Sequence, residues 1–294
     1  MIKQGRIRKG IGGFYYVEAE DEIYECRARG VFRKRGTTPL AGDWVQIMIA
    51  DNDSCTIEEV KPRKNMLIRP PCANIDQLFL VISVCSPAPN LLILDKMLAV
   101  AEDQSIEPIL VISKTDLQSA CALSTVYEKV GYQVICTSSV NGAGIAQIKS
   151  LLTDKISVFI GNSGVGKSSL LNCIAPDFQQ KTGDISQKLG RGRHTTRQVE
   201  LLKLPCGGYV ADTPGFSTMD MERYHIAKKE HLQYCFREME AYRNQCKFTS
   251  CSHTCEKGCA VLEAVARGDI AQSRHNSYVA MYEQVKDKKE WEQK

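Results

Sequence analysis

No apolar run in this chain is long enough to cross a bilayer. The longest, Leu78 to Cys85, spans 8 residues, whereas a membrane helix needs about 20. A charged-then-apolar leader is also missing, so no secretory signal is read and a cytoplasmic protein without membrane contact is expected. Neither sign of charge is in excess: 38 Lys and Arg stand against 34 Asp and Glu. That balance excludes a uniformly basic coat and leaves the surplus at two ends. Residues 1–70 and 181–294 carry more Lys and Arg than Asp and Glu, and residues 71–180 carry fewer. Basic ends around a slightly acidic middle point to a polyanionic partner. Disulfides are not expected either. The chain is long and carries no leader, so most of its 13 cysteines should be reduced, buried thiols.

What is present centres on Gly161-Asn162-Ser163-Gly164-Val165-Gly166-Lys167-Ser168-Ser169. An apolar run, Ile156 to Ile160, precedes it and Leu170-Leu171 follows, so it reads as strand, glycine-rich loop and helix. This is the P-loop pattern in its required context. Its glycines let backbone N–H groups turn inward as an anion nest at a helix N-terminus. Lys167 is expected to reach the outer phosphates of a nucleoside triphosphate and Ser168 to ligate Mg²⁺.

Around this loop the chain reads as a parallel α/β unit. The runs at 77–84, 108–112 and 132–136 are strands, and helix-spaced apolar residues lie between them. The second strand ends in Ser113-Lys114-Thr115-Asp116. A carboxylate at Asp116 can accept from both N1–H and the 2-amino group of guanine, donors that adenine lacks there. Lys114 would lay its stem along the base. A third signal, Asp212-Thr213-Pro214-Gly215, ends the run 208–211. Asp212 is expected on Mg²⁺ and the Gly215 N–H near the γ-phosphate. Between these motifs lies Gly190-Arg191-Gly192-Arg193-His194-Thr195-Thr196-Arg197. One of Thr195 or Thr196 is expected to close on Mg²⁺, and the sequence does not choose between them. The order of these signals is circularly permuted, because ordinary GTPases place the Lys-x-Asp motif after the P-loop.

The two flanks read differently. Residues 1–66 suggest short strands separated by glycine or Asp/Asn turns, as in a five-stranded oligonucleotide-binding (OB) barrel. Alternation does not decide which of Ile23, Tyr24 and Cys26 face its core. Arg27, Arg29, Arg33, Lys34 and Arg35, with Tyr15, Tyr16 and Phe32, suit phosphates and stacked bases. Lys61 to Lys64 reads as an exit linker. At the other end, Cys246, Cys251, His253 and Cys259 form a Cys-x₄-Cys-x-His-x₅-Cys set, with Cys255 as a fifth candidate. Three thiolates and one imidazole make a closed, structural zinc site.

Together, the permuted order, the loop at 161–169, Gly192 to Thr196, Asp212 to Phe216 and the cysteine-histidine set resemble the bacterial ribosome small-subunit-dependent GTPase A family. The resemblance runs from Leu40-Ala41-Gly42-Asp43-Trp44-Val45 to the final helix. It implies three domains: an OB barrel at 1–66, a permuted GTPase domain at 67–220 and a mainly helical zinc domain at 221–294. It further implies that the barrel binds small-subunit rRNA, that the subunit stimulates hydrolysis of GTP to GDP, and that Cys255 is not a ligand. Ser113 stands where the family carries Asn or Thr, which shortens its reach toward the base. Lys257 replaces a usual proline beside Gly258, which implies a looser zinc loop. Phe216 occupies the place where many GTPases carry a water-orienting glutamine. Hydrolysis is therefore expected to be slow alone and accelerated by the subunit, with His194 as a candidate group acting on the attacking water. Nothing in the sequence calls for more than a monomer. The competing reading is a GTP-sensing, RNA-binding checkpoint module with little turnover, and a third is an ATP-driven assembly factor.

Overall fold

The structure, a computed structural model, describes residues 1–30, 32, 36–51, 54–176, 199–212 and 229–286, with Asp212 described by its backbone alone. Strands β1 (Ile2–Ile11), β2 (Phe14–Ala19) and β3 (Glu22–Ala28) form two successive hairpins. Gly12 and Gly13 turn the first with φ of +60° and +90°, the left-handed pair that matches strand twist. β4 (Trp44–Ile49) and β5 (Cys55–Val60) complete the ring. The order is β1-β2-β3-β5-β4, β4 pairs back onto β1, and β3 runs parallel to β5. That is a closed five-stranded OB barrel. Its core is Ile7, Val17, Cys26, Phe32, Val45, Ile47, Cys55 and Ile57. In β3 Cys26 is buried and Ile23 exposed, which resolves the choice that alternation left open.

The segment expected as a linker is also anchored to the barrel. Arg63 donates to both carboxylate oxygens of the fully buried Asp43, at 2.7 and 2.8 Å. Gly42 sits at φ +94°, and a Cβ there would lie 2.0 Å from the Ala73 carbonyl oxygen. Only glycine permits that approach. A short ribbon follows, β6 (Met66–Leu67) and β7 (Cys72–Ala73).

The central sheet contains β8 (Gln77–Ser83), β9 (Glu107–Ser113), β10 (Gln133–Cys136), β11 (Ile156–Ile160), β12 (Glu200–Lys203) and β13 (Tyr209–Asp212). Its order is β10-β9-β8-β11-β13-β12, parallel except for β12. The strands β8, β9 and β11 are apolar through most of their length because helices cover both sheet faces. These helices are α1 (Leu91–Asp103), α2 (Cys121–Val130), α3 (Ile145–Leu151) and α4 (Lys167–Ile174). One face packs Leu78, Leu80, Leu98, Leu110, Ile112 and Val158, and the other Phe79, Val81, Val111, Ile148 and Phe159. The sheet continues into the barrel through the β1–β12 pairing at Lys9 and Glu200.

Beyond residue 228 come α5 (Lys229–Leu232), two 3₁₀ turns at 233–235 and 237–239, α6 (Ala260–Arg267) and α7 (Gln272–Val285). Leu232, Phe236, Met239, Val261, Tyr278 and Met281 form their core, together with Ala99 of α1. Arg274 of α7 is buried and bonded to Asp95 of α1 and to Glu238. Among the described residues no helix is long and apolar enough to cross a membrane.

Candidate nucleotide and metal sites

The carboxyl ends of β9, β11 and β13 lie along one edge of the sheet, the place where open α/β folds receive ligands. The loop leaving β11 is shaped by its glycines. A Cβ on Gly161 would lie 2.3 Å from the Val81 carbonyl oxygen. Gly164 and Gly166 take φ of +80° and +90°, and Gly166 is the N-cap of α4. Lys167 therefore opens the helix, and Ser168 and Ser169 are exposed on its first turn, with Ser163 exposed in the loop. Val165 is buried and anchors the loop from below. The Asn162 side-chain oxygen is buried beside it without a hydrogen-bond partner among the described residues.

The end of β9 meets this loop from some 50 residues away along the chain. The buried Ser113 hydroxyl lies 2.5 Å from the Val165 carbonyl oxygen and 3.0 Å from that of Ile82. Lys114, at φ +62°, donates through Nζ to the Gly164 carbonyl at 2.7 Å and to Ser86 at 2.5 Å. The Thr115 N–H and hydroxyl both donate to the Thr137 carbonyl at 3.1 Å. Asp116 is exposed beyond them. The motif at 113–116 and the loop at 161–169 thus meet at one edge of the sheet despite their inverted order. In β13 Ala211 pairs with Val158, which brings the Asp212 backbone level with Phe159 near the same edge. His194, Thr195 and Thr196 lie outside the described residues, as does Phe216.

Two contributors were not singled out from the sequence. One is the turn Thr137-Ser138-Ser139 after β10, which fixes Thr115 and whose buried Ser138 hydroxyl accepts from the N–H groups of Val140 and Asn141. Its place at the end of a third parallel strand was the available signal. The other is the 83–90 turn, where the Ser83 hydroxyl donates to Pro87 at 2.6 Å and Ser86 receives Lys114.

The second site is the cysteine-histidine set. Ligand atoms of Cys246, Cys251, His253 and Cys259 all lie within 4.8 Å of one another. A tetrahedral ion with metal–sulfur and metal–nitrogen bonds of about 2.3 and 2.0 Å requires edges of about 3.8 Å between sulfurs and about 3.5 Å from sulfur to nitrogen. Cys246 Sγ lies 3.8 Å from Cys259 Sγ, and His253 Nδ1 lies 3.5 Å from each. The donors fit such an ion. His253 Nε2 bonds the Gln233 side-chain oxygen at 3.0 Å, leaving Nδ1 toward the thiols. His275 and Tyr278 of α7 hold the carbonyls of His253 and Ser252, both at 2.8 Å. Glu256 gathers the N–H groups of Ser252, Thr254 and Cys255. Burial alone would raise its carboxyl, but bonds from the Ser252 hydroxyl and from the Ser252, Glu256 and Cys255 amides hold it down at about 2. The loop around Lys257 is well anchored without a proline. Cys255 is exposed and stands outside the cluster.

The barrel surface pairs cations with rings: Arg27 over Phe14 at 4.8 Å, Lys9 over Tyr16 at 5.1 Å, and Arg6 over the partly exposed Trp44 at 4.5 Å. Such faces suit unstacked bases and phosphates. Arg33, Lys34 and Arg35 lie outside the described residues.

Comparison with known proteins gives consistent matches over the whole length. The RsgA GTPase family model matches residues 60–222, and the RsgA N-terminal domain model matches residues 4–57. A small ribosomal subunit biogenesis GTPase RsgA from Caldanaerobacter subterraneus subsp. tengcongensis is 48% identical, covering 97% of this chain and 96% of its own. One of the same name from Geobacillus thermodenitrificans is 45% identical, covering 98% and 99%. Among solved structures, YjeQ from Thermotoga maritima superposes with a TM-score of 0.81 at 36% identity, covering 98% of this chain and 100% of its own. YloQ, described as a circularly permuted GTPase, gives 0.80 at 38%, covering 98% and 96%.

Proposed function

Since this chain belongs to the RsgA GTPase family, we propose that it is a GTPase of small-ribosomal-subunit biogenesis whose nucleotide state controls binding to and release from the subunit. The observation that carries the reading is the contact of Ser113 and Lys114 with the 164–165 backbone, because it brings together two motifs that are far apart and in permuted order along the chain. In this reading the backbone of 161–166 and Lys167 cradle the phosphates, and Asp116 accepts from N1–H and the 2-amino group of guanine. Ser168, Asp212 and one of Thr195 or Thr196 would hold Mg²⁺, which supplies charge neutralisation across the outer phosphates when bound. Positioning and electrostatic stabilisation are nearly all that phosphoryl transfer needs, and the helix N-terminus of α4 offers both. Phe216 cannot orient water, so the subunit must order the site or bring a group to it, with His194 the candidate from this chain.

We divide the domains at 66 and 220, a reading supported by where most of each core lies, although Ala41 packs with the central sheet and Ala99 with the C-terminal core. The barrel core ends at Ile57, Leu67 already packs with the central sheet, and the C-terminal core begins at Leu232. The barrel is assigned to rRNA through its cation-aromatic face. The four donors of the C-terminal unit are assigned to one structural zinc ion, since the set leaves no position open for water. The chain is taken to act as a cytoplasmic monomer.

The test is GTP hydrolysis titrated with small subunits, large subunits and naked RNA. Acceleration by small subunits alone is expected. Equal rates with and without them would leave a GTP-sensing checkpoint module, and displacement of GDP by ATP as readily as by GTP would remove the role given to Asp116.

A further inference from the structure

Guanine presents two edges to a protein. N1–H and the 2-amino group donate along one, and N7 and O6 accept along the other. A residue that reads the second edge must donate. Ser113, at the end of β9, has one hydroxyl proton. Its oxygen is buried between two backbone acceptors, Val165 at 2.5 Å and Ile82 at 3.0 Å. The Val165 carbonyl stands ahead of the hydrogen-bond ladder of α4, which opens with Leu170 N–H donating to Gly166. Turning the proton toward a base would leave that buried carbonyl without this donor, which is unfavourable. An amide in this position has two N–H donors and could serve the loop and the base together. A hydroxyl cannot.

Its neighbours are committed in the same direction. Lys114 Nζ is taken by Gly164 and Ser86, and Thr115 by Thr137. Asp116 is the one member of the four that is exposed. We propose that Ser113 is a positioning residue that holds the P-loop through Val165 and does not read the base, so that this chain accepts guanine nucleotides whose N7 has been replaced. The inference rests on the guanine-nucleotide cleft proposed above.

The experiment compares GDP with 7-deaza-GDP, in which C–H replaces N7, by calorimetry on the full chain and on Ser113→Ala and Ser113→Thr. Wild type is expected to bind the two nucleotides within about twofold of each other. Ser113→Ala should weaken both by the same factor, about tenfold, the equivalent of one net hydrogen bond. Ser113→Thr, which keeps the hydroxyl, should restore both. A wild-type preference for GDP of tenfold or more would overturn the proposal. So would a Ser113→Ala variant that binds GDP as tightly as wild type. The wild-type ratio needs no variant to fold, and a wild type that fails to prefer GDP over ADP would sink the cleft itself, not the role of Ser113.

Discussion

Gln233 offers one oxygen to His253 Nε2, and that bond selects the imidazole nitrogen that faces the three thiols. A carboxamide oxygen accepts, so Nε2 keeps the proton and Nδ1 turns its lone pair toward the thiols. Residues that orient a metal-binding histidine in this way are worth roughly 10- to 100-fold in metal affinity. Gln233→Ala is expected to release zinc to a chromogenic chelator faster than wild type by a factor in that range, and Gln233→Glu to retain it. An unchanged release rate would show that the backbone alone orients His253. The cluster could be read from spacing, because Cys and His at short intervals in a polar loop have few other reasons to gather, though spacing alone left Cys255 as a fifth candidate. Gln233 could not, since its contact crosses 20 residues and depends on how a 3₁₀ turn packs. Ser113 is a middle case: its position was legible, but the direction of its hydroxyl is set by β8 and the P-loop closing around it.

At the scale of elements, the joint between the central sheet and the C-terminal unit is a helix pair locked by buried charge. Arg274 Nη1 donates to Asp95 at 2.6 Å, and its Nε and Nη2 donate to Glu238 at 2.7 and 3.1 Å. The ring of Phe236 lies 4.7 Å beneath the guanidinium. Removing one partner of such a cluster leaves the others desolvated and unpaired, at a cost of about 3–5 kcal/mol. Arg274→Ala should lower stability by that amount in denaturant titration, and a loss below about 1 kcal/mol would mean that water enters to replace the ion pair. Tyr278 and Met281 stand at helix spacing on the buried side of α7, but periodicity cannot place a buried arginine, whose partners come from α1 and a distant turn. The anchoring of the linker at 61–64 was hidden for the same reason. Its charges resemble a solvated linker until Asp43, 20 residues earlier in the chain, is folded against Arg63.

Over the whole molecule, the permuted order makes the barrel a neighbour of the strands that border the cleft. Glu18 of β2 receives Arg8 at 2.9 Å from its own barrel, Lys203 of β12 at 2.8 Å, and Tyr209 of β13 at 2.8 Å. Arg8 Nε also bonds the Leu201 carbonyl at 2.5 Å. β13 ends at Asp212, and β12 begins two residues after the last of residues 177–198 that carry the Gly192-to-Thr196 motif. One carboxylate thus joins the barrel to both strands. Burial by itself would raise its titration point, but bonds from Lys203, Tyr209 and Arg8 outweigh it and hold Glu18 at about 2, below the ordinary 4.5. A folded value below the unfolded one contributes stability above the unfolded value, and that contribution is lost as pH falls toward the folded one. The gap in melting temperature between wild type and Glu18→Gln should therefore be full at pH 7 and close between about 4.5 and about 2. If the same carboxylate carries the barrel's engagement with the subunit to the cleft, Glu18→Gln should hydrolyse GTP alone at the wild-type rate. Its acceleration by small subunits should then fall several-fold. A variant stimulated as fully as wild type would confine Glu18 to holding the two units together, and coupling would have to run through the β1–β12 backbone pairing instead.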